Sequence, residues 1–202
     1  MENSDKIILD LCGGTGSWSR PYKEMGYDVR NITAPDFDVC FTQITEKSII
    51  FHGGKFNPGR NPMIIAKKKV YGILSAPPCT MFSLARTKAK ELRDLAEGFE
   101  IVRACLNIIW KCMEIKQETE RKTLPLKFWA LENPNGMLKY FLGKPAFEFN
   151  PYEFGDGYKK RTMLWGWFNE PKKKIGKILV ESPYHSLNPK KRKKTEKIFI
   201  QT

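Results

Sequence analysis

Residues 6–12 (Lys6-Ile7-Ile8-Leu9-Asp10-Leu11-Cys12) form an apolar run of strand length, and Gly13-Gly14-Thr15-Gly16-Ser17 follows it at once. A helix is expected from near Ser19 to Glu24, closed at Gly26, where a left-handed cap suits glycine. Residues 27–32 then read as a second strand. Strand, glycine turn, helix and strand make the opening of a nucleotide-binding βαβ unit. Two parallel strands need such a crossover between them, so the chain is expected to be an α/β protein with a mostly parallel sheet and flanking helices. The glycines let backbone pass close to a ligand. A glycine turn alone is weak evidence, and Asp10 just before it adds weight.

A second stretch stands in the same relation to its strand. Residues 70–74 are apolar, and Ser75-Ala76-Pro77-Pro78-Cys79-Thr80-Met81-Phe82-Ser83 follows. Two prolines cannot continue a ladder, so the chain turns at the strand's carboxyl end, where open α/β sheets bind ligands. A cysteine on that stiff turn is held in one orientation, as a nucleophile must be. The plain alternative is a packing cysteine, since free cysteine is usually buried and inert.

Residues 34–62 are dominated by turn signals, with Asp36-Phe37-Asp38-Val39 expected as a brief edge element. Leu92, Leu95, Phe99, Val102, Leu106, Ile109 and Met113 recur at spacings of three and four, which predicts a long helix with one apolar stripe. Cys105 and Cys112 lie beside that stripe as packing residues, and the polar run 117–123 ends the helix. Residues 128–131 are the next strand, and Glu132-Asn133-Pro134-Asn135-Gly136 is expected to end it. A glutamate at a partly desolvated sheet edge has a raised pKa and can give a proton; a helix cap or a surface ion pair is the plain alternative. Further on, Lys159-Lys160-Arg161 precedes a short strand, residues 162–165. Arg161 there can hold an anion or a base edge with its planar fork, or be ordinary surface charge.

Composition narrows the classes. There are 202 residues, enough for one domain, here residues 1–171, with a basic extension over 172–202. No apolar run is long enough to span a bilayer, and the first ten residues are not a signal peptide. The five cysteines include no C-x-x-C pair and the two histidines are isolated, so neither a metal site nor a disulfide framework is expected. An intracellular, reducing setting follows. The net charge of +13 points to a polyanion, most simply nucleic acid. Ten Lys and Arg against two Glu place +8 of it after residue 171. The run Pro189-Lys190-Lys191-Arg192-Lys193-Lys194 reads as a phosphate-binding arm or, in a eukaryotic cell, a nuclear-import signal. A solvated tail is the alternative.

Four stretches, in this order, resemble the cytosine carbon-5 DNA methyltransferases, and especially their short phage and prophage type. They are Asp10-Leu11-Cys12-Gly13-Gly14-Thr15-Gly16, Ala76-Pro77-Pro78-Cys79 with Ser83, Leu131-Glu132-Asn133-Pro134, and Lys159-Lys160-Arg161-Thr162-Met163-Leu164-Trp165-Gly166. They look like the cofactor glycine loop, the Pro-Cys motif, the Glu-Asn motif and the Q-x-R-x-R motif. Each is moderately specific; the four together span roughly residues 6 to 168.

The resemblance implies a Rossmann-like methyltransferase fold with S-adenosylmethionine as cofactor. Cys79 matches the nucleophile that adds to cytosine carbon 6. Glu132 matches the residue that holds the base's ring nitrogen and amino group, and Arg161 the arginine supporting base and nucleophile, with Lys159 in place of an earlier arginine. Asp10, Cys12, Gly14, Thr15, Gly16 and Ser17, with Thr33, Asp38 and Pro78, match the cofactor site; Ser83, Asn133 and Lys159 match substrate contacts. The departures are specific. Glu-Asn-Val is Glu-Asn-Pro here, as in the phage-type relatives. Thr33, or Asp36 beyond it, stands where an acidic residue is expected to hold the cofactor ribose. No target-recognition domain and no closing motif follow Trp165, so low sequence specificity is expected, or specificity supplied by a protein partner or by residues 51–62. The expectation is a DNA cytosine methyltransferase. The alternatives are a cytosine methyltransferase acting on RNA and a non-catalytic DNA-binding subunit derived from this fold.

Overall fold

The structure is a computed structural model, and it describes residues 2–84, 90–114 and 126–174. The first strand, β1 (Ile7–Leu11), is wholly buried. The short helix α1 (Arg20–Glu24) follows, with Ser19 as its N-cap and Pro21 in its first turn. It closes at Gly26, whose φ of +85° is the left-handed conformation expected there. The chain returns as β2 (Asp28–Ile32), parallel to β1 with Asp10 opposite Asn31. The expected βαβ opening is present.

Residues 36–39 are not an edge strand. They form turns, yet Phe37 and Val39 are buried in the core, so their apolar character serves packing without a ladder. After them comes an unforeseen three-stranded antiparallel sheet: β3 (Thr42–Ile44), β4 (Ser48–Phe51) and β5 (Met63–Ala66), in that order. Ile49, Phe51 and Ile65 join it to the main core.

A 3-10 turn, Lys67–Lys69, leads into β6 (Val70–Ser75), which lies on the other side of β1 from β2, with Leu11 opposite Ser75. The long helix α2 (Leu95–Met113) packs over one face. Asp94 caps it by accepting the Glu97 N–H at 2.9 Å. Val102, Leu106 and Ile109 are buried as the periodicity predicts, and Cys105 and Cys112 are fully buried with them. Leu92 is not part of the stripe: it precedes the helix and is 94% exposed. The polar run 117–123 lies outside the described residues, as does the basic run 189–194.

Next comes β7 (Phe128–Pro134), parallel to β6, with Ser75 opposite Leu131. It does not end at Glu132. Parallel pairing with β6 stops at Leu131, but Glu132, Asn133 and Pro134 continue against Leu164, Met163 and Thr162. Beyond the end of β6 only one neighbour flanks β7, and a strand with a free side tolerates a proline. A one-turn helix α3 (Lys139–Leu142), β8 (Phe147–Phe149) and β9 (Thr162–Trp167) complete the chain.

The main sheet has the order β2-β1-β6-β7-β9-β8, with β9 antiparallel to both its neighbours. It is a mostly parallel sheet buried on both faces. Ile7, Leu9, Ile73 and Leu131 join α2 and the small sheet in one cluster. Ile8, Leu74, Phe128 and Ala130 face Trp18 and Tyr22 in the other, where Tyr22 stacks on Phe128 with ring centroids 5.5 Å apart. Single-residue alternation along each strand divides the two. This α/β architecture is compatible with a Rossmann-like fold. No described helix is long and apolar enough to cross a membrane.

Candidate functional site

The chain runs from β1 outward to β2, then crosses back to place β6 on the other side of β1. That reversal opens a crevice at the carboxyl ends of β1 and β6, where ligands of open α/β sheets bind. The glycine turn leaves β1 there, and the Pro-Pro-Cys turn leaves β6 beside it. Glu132 lies one residue past the last β6–β7 pair.

The glycine turn is fixed from beneath. Asp10 is fully buried and accepts a 2.5 Å hydrogen bond from the Ser19 hydroxyl, tying β1 to the start of α1. Gly13 lies directly over that carboxylate; a methyl there would meet its atoms at 2.2–2.4 Å. Cys12 takes a φ of +58° as the chain leaves the strand. Asn31 on β2 donates to the Gly14 carbonyl at 2.9 Å, and the Thr15 and Ser17 hydroxyls are 2.7 Å apart. Asp10 thus holds the loop and the helix, while residues 12–17 form the surface above.

The Pro-Pro-Cys turn is stitched to the chain after Glu132. Asn133 donates to the Pro77 carbonyl at 3.1 Å, and Met137 N–H donates to the Phe82 carbonyl at 2.8 Å. Ser83 and Gly136 form a β-bridge. Arg93, which the sequence did not single out, donates to the carbonyls of Met81 and Ser83 at 2.5 and 3.1 Å. Cys79 is half-buried, and its carbonyl accepts the Phe82 and Ser83 N–H groups at 3.0 and 2.8 Å. Two motifs more than fifty residues apart in sequence therefore form one rigid unit.

A cavity of about 200 Å³ opens at this end of the sheet. Gly13, Ala76 and Glu132 line it, one residue from each of three sequence motifs, together with Thr162 and Leu164 of β9. Trp18, Phe149, Phe154 and Tyr158 supply aromatic walls, and Asp156 and Lys160 supply charge. The Asp156 Oδ1 atom is buried with no hydrogen-bond partner. The 3-10 turn Pro151–Phe154 that carries this wall is anchored by Glu153, which accepts the Asn150 N–H at 2.6 Å and pairs with Lys173 at 2.8 Å. Burial opposes ionisation of Glu153, but Lys173 and the Asn150 amide outweigh it and hold its carboxyl below the ordinary range.

Other predicted residues lie elsewhere. Arg161 is exposed and forms an ion pair with Glu148 on β8, with Nε–Oε2 at 2.7 Å. Lys159 is exposed, and of the three cations before β9 it is Lys160 that lines the cavity. Asp38 accepts the Cys40 N–H at 2.9 Å in the turns beyond β2, and the Thr33 carbonyl accepts the Phe37 N–H. Pro78 is exposed beside Cys79. Cys12 lies with its sulfur 4.0 Å from that of Cys105. The neighbouring thiol and burial push the Cys12 pKa up, which makes it a poor nucleophile.

The aromatic walls were missed because they come from three separate segments. The density of rings at Phe147, Phe149, Tyr152 and Phe154 was the available signal. Among the described residues, no group of three or more His, Cys, Asp or Glu is placed to hold a metal ion. No protein-family model matches the chain, and no curated protein matches it significantly.

Proposed function

We propose that this chain is a DNA cytosine carbon-5 methyltransferase that uses S-adenosylmethionine. The observation that carries the reading is the convergence of Gly13, Ala76 and Glu132 on one cavity, with Cys79 on the turn that Asn133 ties to the same strand end. The cavity also fits the cofactor class. Aromatic rings beside the carboxylates of Glu132 and Asp156 suit a flat ligand bearing positive charge and amino hydrogens. Residues 12–17, with Pro78, would hold the cofactor beside it. When bound, S-adenosylmethionine supplies an electrophilic methyl group on a sulfonium sulfur.

The chain's own residues make the acceptor reactive. Cytosine carbon 5 is a weak nucleophile. The Cys79 thiolate adds to carbon 6 while Glu132 supports protonation at the ring nitrogen, and the resulting enamine is nucleophilic at carbon 5. After methylation, loss of the carbon 5 proton and expulsion of the thiolate restore the ring. A stacked base is out of reach of Cys79, so the base must leave the helix. The basic charge before and after residue 171 supplies phosphate contacts that position DNA without reading it.

A second reading, a non-catalytic DNA-binding subunit, is favoured by one observation: Arg161 is engaged by Glu148, away from the cavity. Covalent trapping decides between them. The protein is incubated with DNA carrying 5-fluorocytosine, with and without S-adenosylmethionine, beside the Cys79→Ala variant. A denaturation-resistant adduct that needs the cofactor and is lost in Cys79→Ala supports the enzyme. DNA binding without an adduct, on single-stranded and duplex substrates alike, favours RNA as substrate or the binding subunit.

A further inference from the structure

A second cavity lies at the other end of the sheet. It holds about 850 Å³ between the β3–β4 hairpin, the turn Lys67–Lys69 and the last turn of α2. Four of its lining residues are lysines: Lys47, Lys67, Lys68 and Lys111. Two are acidic, Glu46 and Glu114, and Lys111 already pairs with Glu114 at 2.5 Å.

Lys67 is the unusual member. Its neighbours Lys68 and Lys69 are exposed, but Lys67 is only 7% exposed and lines the cavity. Its backbone is pinned where the small sheet meets β6, with the N–H donating to the Lys47 carbonyl at 2.9 Å. Its ammonium makes no ion pair or hydrogen bond with any described residue. The stem of Lys67 is packed into the wall of the cavity that the residue lines, as long basic side chains allow. The fold gathers three further lysines around the same space, where their like charges repel. An anion of high charge density relieves that repulsion.

We propose that this cavity is an anion site for a ligand with several phosphates, centred on Lys67. Ammonium groups act as point charges toward phosphate, and several around one space match a multiply charged anion better than a single carboxylate. Two sources share that chemistry: a free polyphosphate, and the backbone of a nucleic acid. β6 has six residues, so the cavity is roughly 20 Å from the Pro-Pro-Cys turn at about 3.3 Å per residue. The site is therefore separate from the Glu132 cavity and does not depend on the function proposed for it.

The test uses the full chain and sodium tripolyphosphate, titrated by calorimetry at low salt. Lys67→Met keeps the buried stem and removes the charge; Lys68→Ala changes an exposed member of the same wall and leaves packing intact. Expected is saturable binding that weakens at least tenfold in Lys67→Met and several-fold in Lys68→Ala, and is unchanged in Lys23→Ala, an exposed lysine on α1. Equal affinity in wild type, Lys67→Met and Lys68→Ala, all folded by circular dichroism, would overturn the site and assign the binding to other basic segments. Absence of saturable binding would overturn it equally. Should Lys67→Met not fold, Lys68→Ala decides. A DNA duplex that displaces tripolyphosphate from the Lys67-dependent site names backbone phosphate as the ligand; a duplex that binds without displacing it names the free polyphosphate.

Discussion

The side-chain amide of Asn133 reaches from β7 to donate to the Pro77 carbonyl at 3.1 Å, in a buried setting. This one bond joins the turn that carries Cys79 to the strand that carries Glu132. The Asn133 Oδ1 atom is buried with no partner, so the residue satisfies its neighbour at a cost to itself. Asn133→Ala removes the bond but also removes the orphaned acceptor, leaving one unpaired carbonyl at Pro77. The expected loss of stability is therefore modest, about 1–2 kcal/mol. It should appear in urea unfolding as a lowered midpoint with an unchanged slope. Adduct formation with 5-fluorocytosine DNA should slow in parallel, because the Cys79 turn loses its tie to Glu132.

Glu132 lines the cavity from a strand paired on the β9 side. Glu132→Gln keeps the shape and loses the acid–base function. Under the proposed reading, the turnover of methyl transfer measured at saturating cofactor and DNA should fall by roughly 10²–10⁴-fold. Affinity for DNA should stay within a few-fold, since the phosphate contacts of that reading are made by basic residues elsewhere. A variant that transfers methyl groups as fast as wild type would remove Glu132 from the mechanism.

The elements around the site were legible because each is an apolar run closed by glycine or proline. β1, β6 and β7 end at Gly13, Pro77 and Pro134 respectively, or within two residues of them, and the breakers also place the motifs. The small sheet was not legible. Thr42–Ile44 and Ser48–Phe51 are too short for alternation to register, and Gly53, Gly54 and Asn57 beside them signal only turns. The aromatic cavity wall depends on where β8 and the following turn fold back, which no local pattern carries. Lys67 is a sharper case: Lys67, Lys68 and Lys69 are one basic triplet with nothing in the sequence to tell them apart, and only the meeting of β5 with β6 buries the first of them.

The glycine turn yields a prediction that separates contact from conformation. Gly13 carries no left-handed requirement, but its Cβ position is occupied by the Asp10 carboxylate, which Ser19 holds at 2.5 Å. Gly13→Ala must displace either the loop or that buried carboxylate. A lowered melting temperature is expected and, under the proposed function, affinity for S-adenosylmethionine down at least tenfold by calorimetry. Gly59→Ala, where an added methyl meets nothing within 4 Å, should change neither. If Gly13→Ala binds cofactor like wild type, the loop is not a cofactor surface.

The buried Cys112 thiol is expected to weaken the fold at alkaline pH. Burial pushes the Cys112 thiol up to about 12 from an ordinary value of 9.0, with the Lys67 ammonium opposing the shift. Below pH 9 the thiol is protonated in both folded and unfolded chains, so it has no effect on the pH dependence. Above pH 9 the unfolded chain releases this proton while the folded chain keeps it, and the native state loses ground as pH rises toward 12. The contribution is at most about 1.4 kcal/mol per pH unit in that window. Urea midpoints measured from pH 8 to pH 10.5 should fall, and Cys112→Ala, though less stable at pH 8, should show a shallower fall. Lys67→Met removes the opposing charge, so it should make the fall persist to higher pH. An identical pH profile in wild type and Cys112→Ala would mean that other groups set the alkaline limit.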